Sequence, residues 1–144
     1  MTIQQPYVLF LGDAPDPLAA KVAQGIKDWR PGISVGQITL PGCKADMGLK
    51  NISVKEAVSL GAKTLVIGVA NRGGLISSKW MEVLKEAIVS GLDIASGLHN
   101  LLRDEKELVD LSKSNNTQLI DVRVPTINYP IANGKKRKDM RCLA

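Results

Sequence analysis

Thr64-Leu65-Val66-Ile67 is a short apolar run, rich in β-branched side chains, that Gly68 closes. A run of this length between turn residues reads as a strand buried on both faces. Downstream, Trp80, Met81, Leu84, Ala87 and Ile88 recur at helical spacing, so a helix is expected near residues 77–90, ended by Gly91. Leu92-Asp93-Ile94-Ala95 then reads as the next strand. Strand, helix, strand at this spacing is the pattern of a right-handed βαβ unit in a parallel sheet.

The pattern extends both ways. Upstream, Tyr7-Val8-Leu9-Phe10-Leu11 reads as a buried strand closed by Gly12-Asp13. Asp16-Pro17 supplies an N-cap and a proline at the first helical position. Leu18, Val22, Ile26 and Trp29 recur as the apolar face of the helix that follows, and Arg30-Pro31-Gly32 stops it. Residues 33–40 form a second expected strand, and Ser53-Val54-Lys55-Glu56 has capping-box spacing. Beyond the fourth strand, a helix over residues 101–113 should turn Leu101, Leu108 and Leu111 inward. Leu119-Ile120-Asp121-Val122 is the fifth strand. The expected fold is α/β: an open, mostly parallel, five- or six-stranded Rossmann-like sheet with helices on both faces.

Composition agrees. The 144 residues fit one domain of ordinary size, 44% of them hydrophobic but only 3% aromatic, so Val, Ile, Leu and Ala must build the core. Two cysteines, Cys43 and Cys142, make no disulfide framework. The first apolar run is too short for a signal or a membrane span, so a cytoplasmic setting without membrane partners is expected. The net charge is +5, but residues 135–144 hold five cations against Asp139 and account for +4 of it. A basic tail on a near-neutral body reads as a solvated linker rather than a nucleic-acid surface. From Pro125 the βα pattern fails. The expected boundaries are a Rossmann-like domain over 1–124 and, over 125–144, a linker with the start of a further domain.

In open parallel sheets, ligands sit beyond the carboxyl ends of the strands. That rule selects five loops. In the first, Gly12 to Pro17, prolines remove amide donors and Asp13 and Asp16 repel phosphate, so no standard dinucleotide site is expected. Asp16 reads as a cap, whereas Asp13 can meet a cationic or hydroxyl-bearing group. The second carries Cys43, Lys44 and Asp46. Lys44 suits an anionic substrate, and Cys43 reads as a small packed side chain. The third, with Asn71, Arg72, Gly73 and Gly74 before Ser77 and Ser78, offers amides, a guanidinium and a helix start to a phosphate or carboxylate. The fourth ends in His99, the sole histidine, which is either a general base or a cap. The fifth holds Arg123. One histidine and scattered cysteines argue against a metal site.

Taken in order, residues 9–21, 41–49, 64–74, 91–99 and 121–123 resemble the N-terminal Rossmann-like domain of the DgcN-type D-glutamate N-acetyltransferases. The resemblance covers roughly residues 6–144. It implies acetyl transfer from acetyl-CoA to the amino group of D-glutamate or a related D-amino acid. It also implies a C-terminal P-loop-like domain, lying beyond these residues, that would hold most of the acetyl-CoA, so the isolated domain should be close to inactive. On this reading Asp13, Asp46 or His99 takes the amine proton. Lys44, Arg72 and Arg123 bind substrate anions with Asn71, and the amides of Gly73 and Gly74 hold carboxylate or phosphate. The expected partners are a small-molecule substrate and the protein's own C-terminal domain, and a homo-oligomer is compatible. The alternative is a non-enzymatic nucleotide- or CoA-binding regulatory module.

Overall fold

The structure, a computed structural model, describes residues 2–70 and 73–124. Five parallel strands form one sheet: β1 (Tyr7–Gly12), β2 (Ser34–Thr39), β3 (Thr64–Ile67), β4 (Asp93–Ser96) and β5 (Leu119–Asp121). Between them lie α1 (Lys21–Trp29), α2 (Val54–Ser59), α3 (Ser78–Val89) and α4 (Lys106–Asn115). Strand order is β2-β1-β3-β4-β5. The chain therefore steps one way from β1 to β2 and then back past β1 to β3. Right-handed crossovers place α1 on one face and α2, α3 and α4 on the other, and α3 packs against both α4 and α2. The reversal of strand order falls between β1 and β3.

Local chemistry explains the elements. Asp16 accepts from the amide of Ala19 at 2.8 Å and opens a 3₁₀ turn, Pro17–Ala20, that leads into α1. Ser53 and Glu56 make both bonds of the expected capping box at the start of α2. Ser77 caps α3 through the amide of Trp80. Val8, Leu9, Phe10, Leu11, Leu65, Ile67 and Ile94 are buried in the core with Trp80, Leu84, Ala87 and Ile88 from α3. Phe10 meets Trp80 edge to face, with centroids 5.5 Å apart and planes at 86°.

Two helices differ from expectation. On α1 and the 3₁₀ turn before it, the expected apolar face is only partly turned to the sheet: Ile26 packs half-buried against the core, but Leu18 is 75% exposed and Trp29 84%, while Ala20 and Ala23 are fully buried. The reason is close approach. The Ala23 amide donates to the Gly68 carbonyl at 3.1 Å. A β-carbon on Gly68 would lie 2.5 Å from that of Ala23, so only small residues fit between helix and sheet. The expected helix over 101–113 is broken at Glu105. A 3₁₀ turn, Leu102–Asp104, precedes α4, and Leu102 with Leu108 is buried while Leu101 and Leu111 are half-buried. The expected linker and further domain start, residues 125–144, lie outside the described residues.

Candidate functional site

The switch in strand order selects two of the five loops, those leaving β1 and β3, as the walls of the ligand crevice. Between them sits Trp80 of α3. Its indole N–H donates to Asp13 Oδ1 at 2.7 Å. The ring also lies against Gly12, where a β-carbon would come within 2.8 Å of it. Asp13 is therefore oriented through one oxygen by a buried donor 67 residues away.

The loop after β2 leans on the loop after β1: the amide of Lys44 donates to the Ala14 carbonyl at 2.8 Å. That bond brings the exposed Lys44 beside the crevice wall. Cys43 is half-buried, its thiol directed at the Ala45 carbonyl. Asp46 holds the loop through one oxygen, Oδ1. It accepts from the Gly48 amide and from Gln37 Nε2, both at 2.8 Å. The Gly48 amide first, then Gln37, with a smaller contribution from the Lys27 charge, hold its carboxyl below the ordinary value of 3.8. A carboxylate satisfied in this way is a weaker proton acceptor.

A second cluster gathers at the ends of β3, β4 and β5. Gly74, at φ +64°, presses on His99; a β-carbon there would lie 3.0 Å from both the nitrogen and Cβ of His99. The Asn100 amide donates to the Gly74 carbonyl at 3.1 Å, tying the two loops together. Arg123 Nη1 lies 3.3 Å from His99 Nε2. A guanidinium only donates, so in this contact Nε2 can serve only as the acceptor. Both side chains are exposed. Gly73 is exposed at φ +85°. Asn71 and Arg72 lie outside the described residues.

One contributor escapes the sequence reading. Asp121, at the end of β5, is 2% exposed. It accepts from the amide of Leu102 at 2.7 Å and from Arg103 Nε at 3.1 Å. With the Ser96 hydroxyl accepting from the Leu98 amide at 3.1 Å, it braces the segment that carries His99. The signal was available: a carboxylate inside Leu119-Ile120-Asp121-Val122 must be paired if the strand is buried.

The described hollows lie elsewhere. One of about 420 Å³ runs between α3 and α4 past Lys85, Glu107 and Asp110. Another of about 220 Å³ sits at the foot of α1 beside Lys27, Arg30 and Ser34. Neither contains a candidate residue. Topology and side-chain chemistry, rather than depth, single out the strand-end crevice. Among the described residues, no group of three or more His, Cys, Asp or Glu side chains could hold a metal, and no helix is long and apolar enough to cross a membrane.

A parallel sheet with its order reversed at β1/β3, and loops converging above that point, defines a Rossmann-like α/β domain. More particularly, the chain belongs to the DUF1611_N family, described as a domain of unknown function with a Rossmann-like domain, whose model matches residues 38–125. It is 61% identical over 142 residues to a protein of Tritonibacter scottomollicae named D-glutamate N-acetyltransferase. It is 46% identical over 143 residues to one of the same name from Pseudoalteromonas sp. Each match covers 99% of this chain and 43% of the relative, so the chain spans less than half their length. A crystal structure of a DUF1611 family protein from Anabaena variabilis superposes with a TM-score of 0.71 at 23% identity, over 91% of this chain and 40% of that one. That likeness is one of fold.

Proposed function

We propose that this domain supplies part of the active site of an N-acetyltransferase that moves acetyl from acetyl-CoA to the amino group of D-glutamate or a related D-amino acid. The observation that carries the reading is the 61% identity, spread over 142 residues, to a protein named D-glutamate N-acetyltransferase. The geometry is compatible with it. A dicarboxylate needs cations, and Lys44 and Arg123 stand exposed at the strand ends. The amine must shed a proton before its lone pair attacks the thioester carbonyl. When Arg123 turns to a substrate carboxylate, it releases Nε2 of His99 to take that proton. The new C–N bond then forms as the C–S bond breaks, and the proton that the attacking nitrogen sheds in becoming an amide passes to the departing thiolate.

The donor's phosphates are poorly served here. Pro15 and Pro17 remove amides from the loop after β1, and Asp13 and Asp16 add negative charge. On this reading acetyl-CoA is held chiefly by the further length that the relatives carry, the site works in the cytoplasm, and the isolated domain transfers acetyl groups at background rates.

Calorimetry of the 144-residue chain with D-glutamate, L-glutamate and acetyl-CoA tests this. D-Glutamate is expected to bind more tightly than its enantiomer, with Arg123→Ala weakening it about tenfold or more. Binding of acetyl-CoA or a nucleotide without any of D-glutamate would replace the catalytic reading with that of a regulatory module.

A further inference from the structure

Among the described residues, three of the eight large apolar side chains that stand exposed, Leu18, Val22 and Trp29, fall on α1 and the turn that leads into it. On α1, Val22, Gly25 and Trp29 stand at i, i+3 and i+7, on one line along the helix, with Leu18 one turn before them. Trp29 is 84% exposed and Val22 40%. Gly25 has open space above it, with nothing within 4 Å of an added β-carbon. The line is thus a notch with an apolar side chain on each side. It faces away from the sheet, because Ala20 and Ala23 occupy the inner face.

This line is its own complement. Turned end for end about Gly25, it sets Trp29 of one helix against Val22 of the other, with the two glycines meeting at the centre. The flanking charges obey the same symmetry. Lys21 and Asp28, both exposed, lie seven residues apart on one flank. A two-fold axis through Gly25 keeps that flank on the same side, so Lys21 of each copy faces Asp28 of the other at both ends. Asp28 is already directed along the helix by Gln24 Nε2 at 2.7 Å.

We propose that two copies of this chain pair antiparallel through α1, as an isologous dimer centred on Gly25. A partner of another kind would have no need of a surface symmetrical in both shape and charge. The contact is small, since a nine-residue helix is only about 13 Å long. It falls below the standard interface size, so the dimer should be weak, with a dissociation constant on the order of tens of micromolar. The proposal does not depend on the catalytic reading.

Sedimentation velocity on the 144-residue chain from about 1 μM to 1 mM decides it, over a range that brackets such an affinity. The expected result is a concentration-dependent monomer–dimer equilibrium that Trp29→Ala weakens at least tenfold. Lys21→Glu and Asp28→Lys should each weaken it too, and together restore it. These residues are exposed, and far-ultraviolet circular dichroism confirms that each variant is folded. A monomer at every concentration would overturn the proposal and leave the line to another occupant, such as the further chain of the longer relatives. A dimer indifferent to Trp29→Ala, or a double swap without rescue, would overturn it as well.

Discussion

Gly74 and His99 lie so close that a β-carbon on the glycine would come within 3.0 Å of the histidine backbone nitrogen. The contact joins the loop after β3 to the loop after β4, and it works only because residue 74 has no side chain. Gly74 also has φ +64°, in the left-handed region. Gly74→Ala is therefore expected to cost about 1–2 kcal/mol from backbone conformation alone. It should also push the His99 segment outward. Urea unfolding measures the first effect. A shift in the His99 ring resonances, with Gly97→Ala as the comparison, measures the second, since a β-carbon on Gly97 would meet only Val122 at 3.5 Å.

Asp121 and Arg103 should respond unequally to truncation. Asp121 is 2% exposed and accepts from two backbone amides as well as the guanidinium. Asp121→Ala leaves the buried Leu102 amide without an acceptor and should cost about 2–3 kcal/mol. The Arg103 side chain is 54% exposed, so Arg103→Ala should cost under about 1 kcal/mol. Equal losses in chemical denaturation would contradict this division.

Trp80 and Asp13 test whether the first loop's carboxylate is structural. Asp13→Ala removes the acceptor from a buried indole N–H and should destabilise by about 1–3 kcal/mol. Asp13→Asn keeps an acceptor oxygen and should lose under about 1 kcal/mol, as expected for a neutral replacement that preserves the bond. Denaturation monitored by Trp80 fluorescence reports both. If Asp13→Ala proved neutral, the 2.7 Å bond would not be what fixes the loop.

The acid limb of stability should lean on Glu56 and Asp46. The Ser53 amide, then the Ser53 hydroxyl, with Lys50 adding charge, hold the Glu56 carboxyl below its ordinary 4.5. Asp46 lies below 3.8 for the reasons already given. A folded-state value below the unfolded one means stability that is present above the unfolded value and is lost as pH falls through the folded one. Stability should thus decline from 4.5 downward, first through Glu56 and then through Asp46. Glu56→Gln with Asp46→Asn should flatten that decline. Urea midpoints at about pH 7 and about pH 3 provide the comparison.

The sequence made the strands legible where apolar runs end in glycine, and α2 legible through its capping box, because both signals are local. α1 was readable as a helix but not in its orientation. Leu18, Val22, Ile26 and Trp29 look like a core face; Ile26 keeps part of that role, and the close approach of Gly68, 45 residues beyond Ala23, hands the rest to alanines. Strand order depends on pairing between distant segments, so the β1/β3 switch could not be read. Of the site, the loops were legible because parallel strands expose their carboxyl ends together. The partners were not: Asp13 meets Trp80 across 67 positions and His99 meets Arg123 across 24. Asp46 read as chemistry alone, and its second task, holding a turn through Gln37 and Gly48 at one oxygen, needed the structure.

The interior position of β1 carries a consequence in time. Val8-Leu9-Phe10-Leu11 is the first strand of the chain, and β2 closes one of its edges early. Its other edge waits for Thr64–Ile67. During synthesis, a wholly apolar strand therefore presents an open edge while some 25 further residues emerge after β2. Nascent chains halted in that interval should be prone to associate through β1, and pairing with β3 passes the open edge outward, to be closed in turn by β4 and β5.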